Sequence, residues 1–170
     1  MDVLVVVESV FGNTRVVAEA VAAGLGDRVS VRVVDVVDAP TAICGLGLLV
    51  VGGPTHAFGM SWSATRRSAV EQSGGVVEPA AVGIREWLAM LPPGAGAAAT
   101  FDTGMSRLRI SGSAARGAAR LLKRRGYRML TRPMTFRVAG TQGPLIGGER
   151  ERALAWGAGL AQQLVGSGIS

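Results

Sequence analysis

The chain has 170 residues, 48% of them hydrophobic, and a net charge of +6. That length suits one domain over residues 1–170 with a real core, and no apolar run reaches the roughly 20 residues a membrane-spanning helix needs. One cysteine (Cys44) and one histidine (His56) exclude a disulfide framework and a thiolate metal cluster, and leave a zinc site without its usual donors, so no metal is expected.

Val3 to Val7 is an unbroken branched apolar run, the pattern of a strand buried on both faces of a parallel sheet. Only Met1 and Asp2 precede it, with no basic region, so no secretion signal is expected and a cytoplasmic location is. Thr14 to Leu25 places Val17, Ala20, Val21 and Leu25 at helical spacing, with Gly26 as the stop. Val29 to Val37 predicts a second strand nearer an edge, and Leu46 to Val51 a third, buried one, closed by Gly52-Gly53-Pro54. A short polar helix is predicted over 63–73, a linker over 74–79, and a helix over 82–91 with Ile84, Trp87, Leu88 and Leu91 on one face. Ala97 to Phe101 predicts a strand of small residues. Ser113 to Arg125 predicts a helix with Ala114, Ala118, Leu121 and Leu122 inward. Tyr127 to Val138 is extended and contains Pro133, which lacks a ladder donor and so belongs at an edge or a bulge. Glu149 to Val165 closes the chain as a helix with Leu154, Ala158, Ala161, Leu164 and Val165 inward.

Strands and helices thus alternate, which implies a mostly parallel, five-stranded sheet with helices on both faces: a three-layer, doubly wound α/β sandwich. Ligands of such sheets sit at the carboxyl ends of the strands near the switch in strand order. The loops after Val7, Val51 and Phe101 are therefore the places to look.

Ser9-Val10-Phe11-Gly12-Asn13-Thr14 follows the first strand directly. A helix N-terminus offers unpaired N–H groups and the positive end of its dipole, which suits a phosphate dianion. Gly12 lets the backbone approach closely. A simpler reading of the same residues is a turn in which Asn13 or Thr14 caps the helix. No lysine lies in the loop and no G-x-G-x-x-G occurs, which disfavours triphosphate and dinucleotide chemistry. S-x-x-G-N-T after a buried first strand resembles the phosphate loop of flavodoxins, usually written Ser/Thr-x-Thr-Gly-x-Thr. The resemblance implies a flavodoxin-like sheet of order 2-1-3-4-5 and FMN as cofactor, with Ser9, Val10, Phe11, Gly12, Asn13 and Thr14 around its phosphate. Phe11 replaces the family's second threonine, so one hydroxyl is lost while the backbone donors remain.

The second loop begins Gly52-Gly53-Pro54-Thr55, which is similar to the Gly-Gly/Ser-Pro-Thr run that borders the flavin ring in flavodoxins. A flat ring system needs apolar cover and backbone donors for its polar edge. The resemblance gives those roles to Pro54, Thr55, His56, Ala57, Phe58 and Gly59, with Trp62 as a further cover. Asp102, Thr103 and Gly104 in the third loop would serve the pyrimidine edge through their backbones. No aromatic lies between Asp102 and Arg125, a departure from the family, and Met105 or Leu108 would give softer cover. The segment from Ala139 to Ile146, AGTQGPLI, carries no assignable chemistry.

Three functions stay open on these residues. The first is a redox carrier that passes electrons from a reductase or NAD(P)H to an acceptor. The second is a small FMN-dependent reductase acting on a quinone or similar substrate, and the third a flavodoxin-like binding module that has lost FMN. A Ser-His-Asp hydrolase built on Ser9, His56 and Asp102 lacks the G-x-S-x-G elbow. The basic run of Arg116, Arg120, Lys123, Arg124, Arg125, Arg128 and Arg132 reads as a solvated helix face, because no aromatics interleave it to stack bases. The expected partners are therefore a redox protein or NAD(P)H with a small acceptor, with neither nucleic acid nor membrane, and homodimerisation left open.

Overall fold

The computed structural model describes residues 1–27, 29–55, 59–72, 82–105 and 112–166. Its centre is a parallel sheet. Strand β1 (Asp2–Val7) lies between β2 (Ser30–Asp35) and β3 (Leu48–Pro54), and β4 (Ala97–Met105) pairs with β3 on the far side. Two short strands, β5 (Arg128–Met129) and β6 (Met134–Val138), both run parallel to β4 and together form the outer edge. The order is 2-1-3-4-5, with β6 continuing the fifth position. This is the flavodoxin-like α/β fold.

Successive residues of a strand point to opposite faces, and the buried side chains sort accordingly. Val3, Val5, Val7, Leu48, Val50 and Phe101 join Val17, Val21, Leu160 and Leu164 of helices α1 (Asn13–Leu25) and α5 (Glu149–Gly166) on one side. Leu4, Val6, Leu49 and Val51 join Trp87, Leu88, Ala118 and Leu122 of α3 (Ile84–Met90) and α4 (Ala114–Arg124) on the other. A further helix, α2 (Ser63–Gln72), follows the β3 loop. Because both faces are covered, the central strands carry no polar alternation, and a continuous Val/Leu run is what such burial selects.

Aromatic and glycine residues fix the spacing of the first face. Phe101, Phe136 and Trp156 meet edge to face, with ring centroids 6.0 to 6.1 Å apart. Helices α1 and α5 touch backbone to backbone. A Cβ on Gly24 would be driven into the Leu154 carbonyl, and one on Gly157 into the Val21 carbonyl.

The fifth strand is split. Arg128 and Met129 oppose Ala97 and Ala98, and pairing resumes with Met134 opposite Phe101. Four residues, Leu130 to Pro133, thus stand against Ala99 and Thr100. The proline sits in this bulge, where its missing N–H removes nothing from the ladder. Thr100 Oγ1 is buried beside it and has no hydrogen-bond partner among the described residues.

Three expectations are corrected. The third strand does not close before Gly52-Gly53-Pro54 but runs through them, because Gly52 lies where a Cβ would collide with the Phe101 ring. The fourth strand does not end at Phe101; Asp102 to Met105 extend it between β3 and β6. Polar residues are tolerated there because the neighbouring loops bond their side chains. On α5 the inward stripe is Ala153, Trp156, Gly157, Leu160 and Leu164, while Leu154 and Val165 are exposed. Burial of Trp156 and close approach at Gly157 override the aliphatic periodicity. The stretch read as a linker, 74–79, lies outside the described residues.

The helix contact gives a paired prediction. Gly157→Ala should destabilise the fold by about 2 kcal/mol through overpacking against backbone. Gly159→Ala, on the same helix but facing open space, should instead stabilise by up to about 1 kcal/mol. Urea unfolding midpoints of the two variants check both signs.

Candidate functional site

The turn from β1 into α1 is built from Glu8 to Gly12. Gly12 has φ +83° and is the residue just before the helix, with nothing within 4 Å of where a Cβ would stand. The left-handed conformation suits glycine and leaves the space beyond it open. Val16 N–H returns to the Gly12 carbonyl at 3.0 Å, and Arg15 N–H to Ser9 Oγ at 3.3 Å. Among the described residues the N–H groups of Val10, Phe11, Gly12, Asn13 and Thr14 have no acceptor. No acidic side chain lies in the first turn of α1 to meet its positive end. The caps envisaged from sequence are also absent: neither Asn13 nor Thr14 turns back on the helix. Asn13 Nδ2 donates to the Gln142 carbonyl at 3.0 Å. Thr14 is buried, and its hydroxyl shares a 2.8 Å hydrogen bond with that of Thr103 on β4. Phe11 is half-buried.

The second and third loops meet in one junction. Thr55 N–H donates to the Thr103 carbonyl at 2.8 Å, and Thr55 Oγ1 donates to Asp102 Oδ2 at 2.8 Å while accepting from Ala114 N–H at 3.0 Å. Asp102 is 0% exposed. Its Oδ2 also accepts from Ser113 Oγ at 2.6 Å and Ala115 N–H at 3.0 Å, whereas Oδ1 has no partner among the described residues. Asp102 and Thr55 therefore point their side chains inward and tie the first turn of α4 to the sheet, and Asp102 is itself laddered between β3 and β6. Pro54 and Gly104 are half-buried, and Met105 is 41% exposed. Gly59 is buried with φ +118°, a conformation that suits glycine. His56, Ala57, Phe58 and Leu108 lie outside the described residues. Trp62 is exposed and carries the Arg85 guanidinium 3.8 Å above its ring.

A second polar cluster underlies the first turn. Glu8 is buried and accepts from Ser61 Oγ and, at 2.8 Å, from Ile84 N–H. The Arg66 guanidinium, also buried, donates to Ser61 Oγ at 3.0 Å and pairs with Glu86 at 3.2 Å. This chain of contacts joins the phosphate-loop candidate, the β3 loop and the start of α3. Burial alone would push Glu86 upward. Hydrogen bonds from the Gly83 N–H, from its own N–H and from Arg66, together with the Arg66 charge, outweigh that and hold its carboxyl below the usual carboxylate range.

Ser9, Gly12, Asn13 and Thr14 are thus brought together with Thr103, and Thr55 with Asp102. The sequence reading missed two groups of residues. The AGTQGPLI segment reaches the first loop through Gln142, and Gly143 leaves no room for a Cβ beside the Asn13 side chain. The density of Gly and Pro there was its signal. Glu8, a lone acid at the end of a buried strand, was the signal for the second cluster. The amide cradle fits a phosphate monoester: it offers donors, positive dipole, open space and the Ser9 hydroxyl, with no acidic side chain in the first turn of α1. Among the described residues no group of three metal-ligating side chains occurs, and no helix is long and apolar enough to cross a membrane.

Solved structures carry the same architecture. A flavodoxin from the domain Archaea superposes with a TM-score of 0.68 at 17% identity, over 97% of this chain and 99% of that one. Oxidised flavodoxin 1 from Bacillus cereus gives 0.69 at 17% identity, over 98% of each chain. A flavodoxin from Streptococcus pneumoniae TIGR4 gives 0.67 at 15% identity, over 98% and 99%. No protein-family model and no curated protein matches the chain. The fold is therefore shared with flavodoxins, at sequence identities that speak for the fold alone.

Two predictions follow from the bonded carboxylates. Asp102→Ala strands the Thr55, Ser113 and Ala115 donors and should cost about 3 kcal/mol, whereas Asp102→Asn, which keeps a carbonyl acceptor, should cost less; chemical denaturation measures both. Glu86 has a lowered folded-state pKa, so its contribution is present above the unfolded value near 4.5 and is lost as pH falls through the folded value. Glu86→Gln should therefore lower stability at neutral pH and flatten the loss of stability below about pH 4.5, as seen in urea midpoints across that range.

Proposed function

We propose that this chain is a cytoplasmic FMN-binding redox protein that passes electrons between a reductase or NAD(P)H and an acceptor. The observation that carries the reading is the row of five amides from Val10 to Thr14 that no described residue bonds, opened by Gly12 at φ +83°. They stand at the carboxyl end of β1, where the sheet order reverses between β2 and β3, the place where sheets of this kind hold ligands. The likeness of fold to flavodoxins supports the same reading.

In this reading the amides and Ser9 Oγ bind the phosphate, and Asn13, anchored on Gln142, steadies the loop from the side. Bound FMN would supply one- and two-electron chemistry at its ring; the protein's share is to bind, orient and shield it. Pro54, Thr55, His56, Ala57, Phe58 and Gly59 would border the ring on one side, as the resemblance of the Gly-Gly-Pro-Thr run implies. Thr103 and Gly104 would serve its pyrimidine edge through their backbones, whereas Asp102 is fully buried, laddered between β3 and β6, with its side chain committed to α4. The Thr55–Asp102–Ser113 junction ties the ends of β3 and β4 to the start of α4, and so fixes the spacing of the strand ends from which these two loops leave.

The phosphate is the part of the ligand the amides recognise, so riboflavin is the informative control. Titration followed by flavin fluorescence should show FMN bound about a hundredfold or more tightly than riboflavin, since two charge-assisted hydrogen bonds alone account for that ratio. Gly12→Val should erase most of the difference. Equal binding of FMN and riboflavin, or binding of neither, overturns the reading. NAD(P)H turnover with a quinone, by the FMN-loaded protein alone, would assign it as a reductase; reduction that stalls until a protein acceptor is added would assign it as a carrier.

A further inference from the structure

Arg116, Arg120 and Lys123 lie at i, i+4 and i+7 on α4, and Arg128 and Arg132 lie on the adjoining edge of the sheet. All five are exposed and line one open groove of about 630 Å³ between the helix and the β5 bulge. No Asp or Glu among the described residues lines it. With a chain charge of +6, nearly the whole positive excess is gathered here.

Nothing in the described chain neutralises it. None of the five guanidinium or ammonium groups makes an ion pair or side-chain hydrogen bond among the described residues. Other cations are used: Arg15 and Arg152 pair with carboxylates, Arg85 covers Trp62, and Arg125 caps the Ala89 and Leu91 carbonyls of α3. The placement is also unfavourable for the isolated protein. Arg116 and Arg120, like Arg120 and Lys123, repel each other across one turn, and Arg116 sits in the first turn, at the positive end of the helix dipole.

The outer sheet edge differs along its length. Beside β6 it is closed: Arg137 N–H donates to Glu149 Oε2 at 2.7 Å, and the Arg137 carbonyl accepts from Ile146 N–H at 2.9 Å. Beside β5 and the bulge no such cover is found among the described residues, and this is the stretch the groove follows. The head of the groove adjoins the candidate site, since Arg116 N–H donates to Ser113 Oγ, which in turn donates to Asp102.

We propose that the α4–β5 groove is the docking surface for an acidic partner protein, one presenting a carboxylate-rich helix or loop. Charge complementarity selects that occupant. A groove with five cations unpaired among the described residues, and no anion among them, attracts carboxylates from a distance and orients them on contact. A nucleic acid is less well served, because the one aromatic among the described residues of the groove, Tyr127, is buried rather than offered for stacking. The position at the head of α4 would bring the partner beside the flavin; in that clause alone the inference rests on the function proposed above.

The test uses a fluorescein-labelled oligo-aspartate peptide and a single-stranded oligonucleotide of matched charge, with binding read by anisotropy. The wild-type protein should bind the peptide, and binding should weaken about tenfold as NaCl rises from about 50 to about 300 mM. The triple variant Arg120→Glu, Lys123→Glu, Arg128→Glu should weaken it at least about tenfold. A triple of equal charge change on exposed residues elsewhere (Arg32→Glu, Arg67→Glu, Arg150→Glu) should leave it within about twofold. Equal losses in both triples, no binding of the peptide, or tighter groove-dependent binding of the oligonucleotide each overturn the proposal. Each protein is titrated with FMN in parallel. A wild type that binds the peptide through the groove but not FMN would sink the flavin reading and leave the groove standing; the converse would sink only the groove.

Discussion

An α-helix cannot bond its own first amides, and at the β1–α1 turn nothing else among the described residues bonds most of them either. Ser9 Oγ takes Arg15 N–H, but the N–H groups from Val10 to Thr14 are left without an acceptor among the described residues, with Gly12 holding the turn open. Groups of this kind are costly to desolvate and well suited to an anion. The functional account of this chain depends on that arrangement, and much of the surrounding structure keeps it in place.

Three supports converge on the turn. From below, Glu8 is locked to Ser61 and to the first amide of α3, with Arg66 and Glu86 completing the cluster. From the sheet, Thr14 meets Thr103 on β4, and Asp102 gathers Thr55, Ser113 and Ala115 so that the β3 loop and α4 share one anchor. From the side, Gln142 holds Asn13. Buried hydrogen-bonded polar groups at the ends of otherwise apolar strands specify the relative positions of loops that hydrophobic packing alone would leave adjustable. The glycine contacts between α1 and α5 do the same for the helix that carries the turn.

The parallel sheet was legible because burial on both faces writes itself as Val/Leu runs, and its order came from the resemblance of the first loop to that of flavodoxins. The first loop was legible because its glycine and its hydroxyl residues cluster after such a run. What the sequence did not disclose is partnership at a distance. Asp102 reads as a loop residue until Thr55 and the start of α4 are seen to bond it, and AGTQGPLI reads as a connection until Gln142 meets Asn13. On α5 the expected stripe was right at Leu164 and Ala161 and wrong at Leu154 and Val165, because the backbone contact at Gly157 and the bulk of Trp156 turn the face toward Ala153 and Leu160. The basic residues of α4 looked like a solvated face in sequence; the structure shows them facing those of β5 and the bulge across one groove.

The most direct measurement is an amide proton–nitrogen correlation spectrum recorded as FMN is added. The account predicts that Gly12, Asn13 and Thr14 N–H resonances move downfield, as hydrogen bonds to an anion require, and that inorganic phosphate at high concentration moves the same resonances. Saturation with FMN that leaves those three amides unmoved would contradict it.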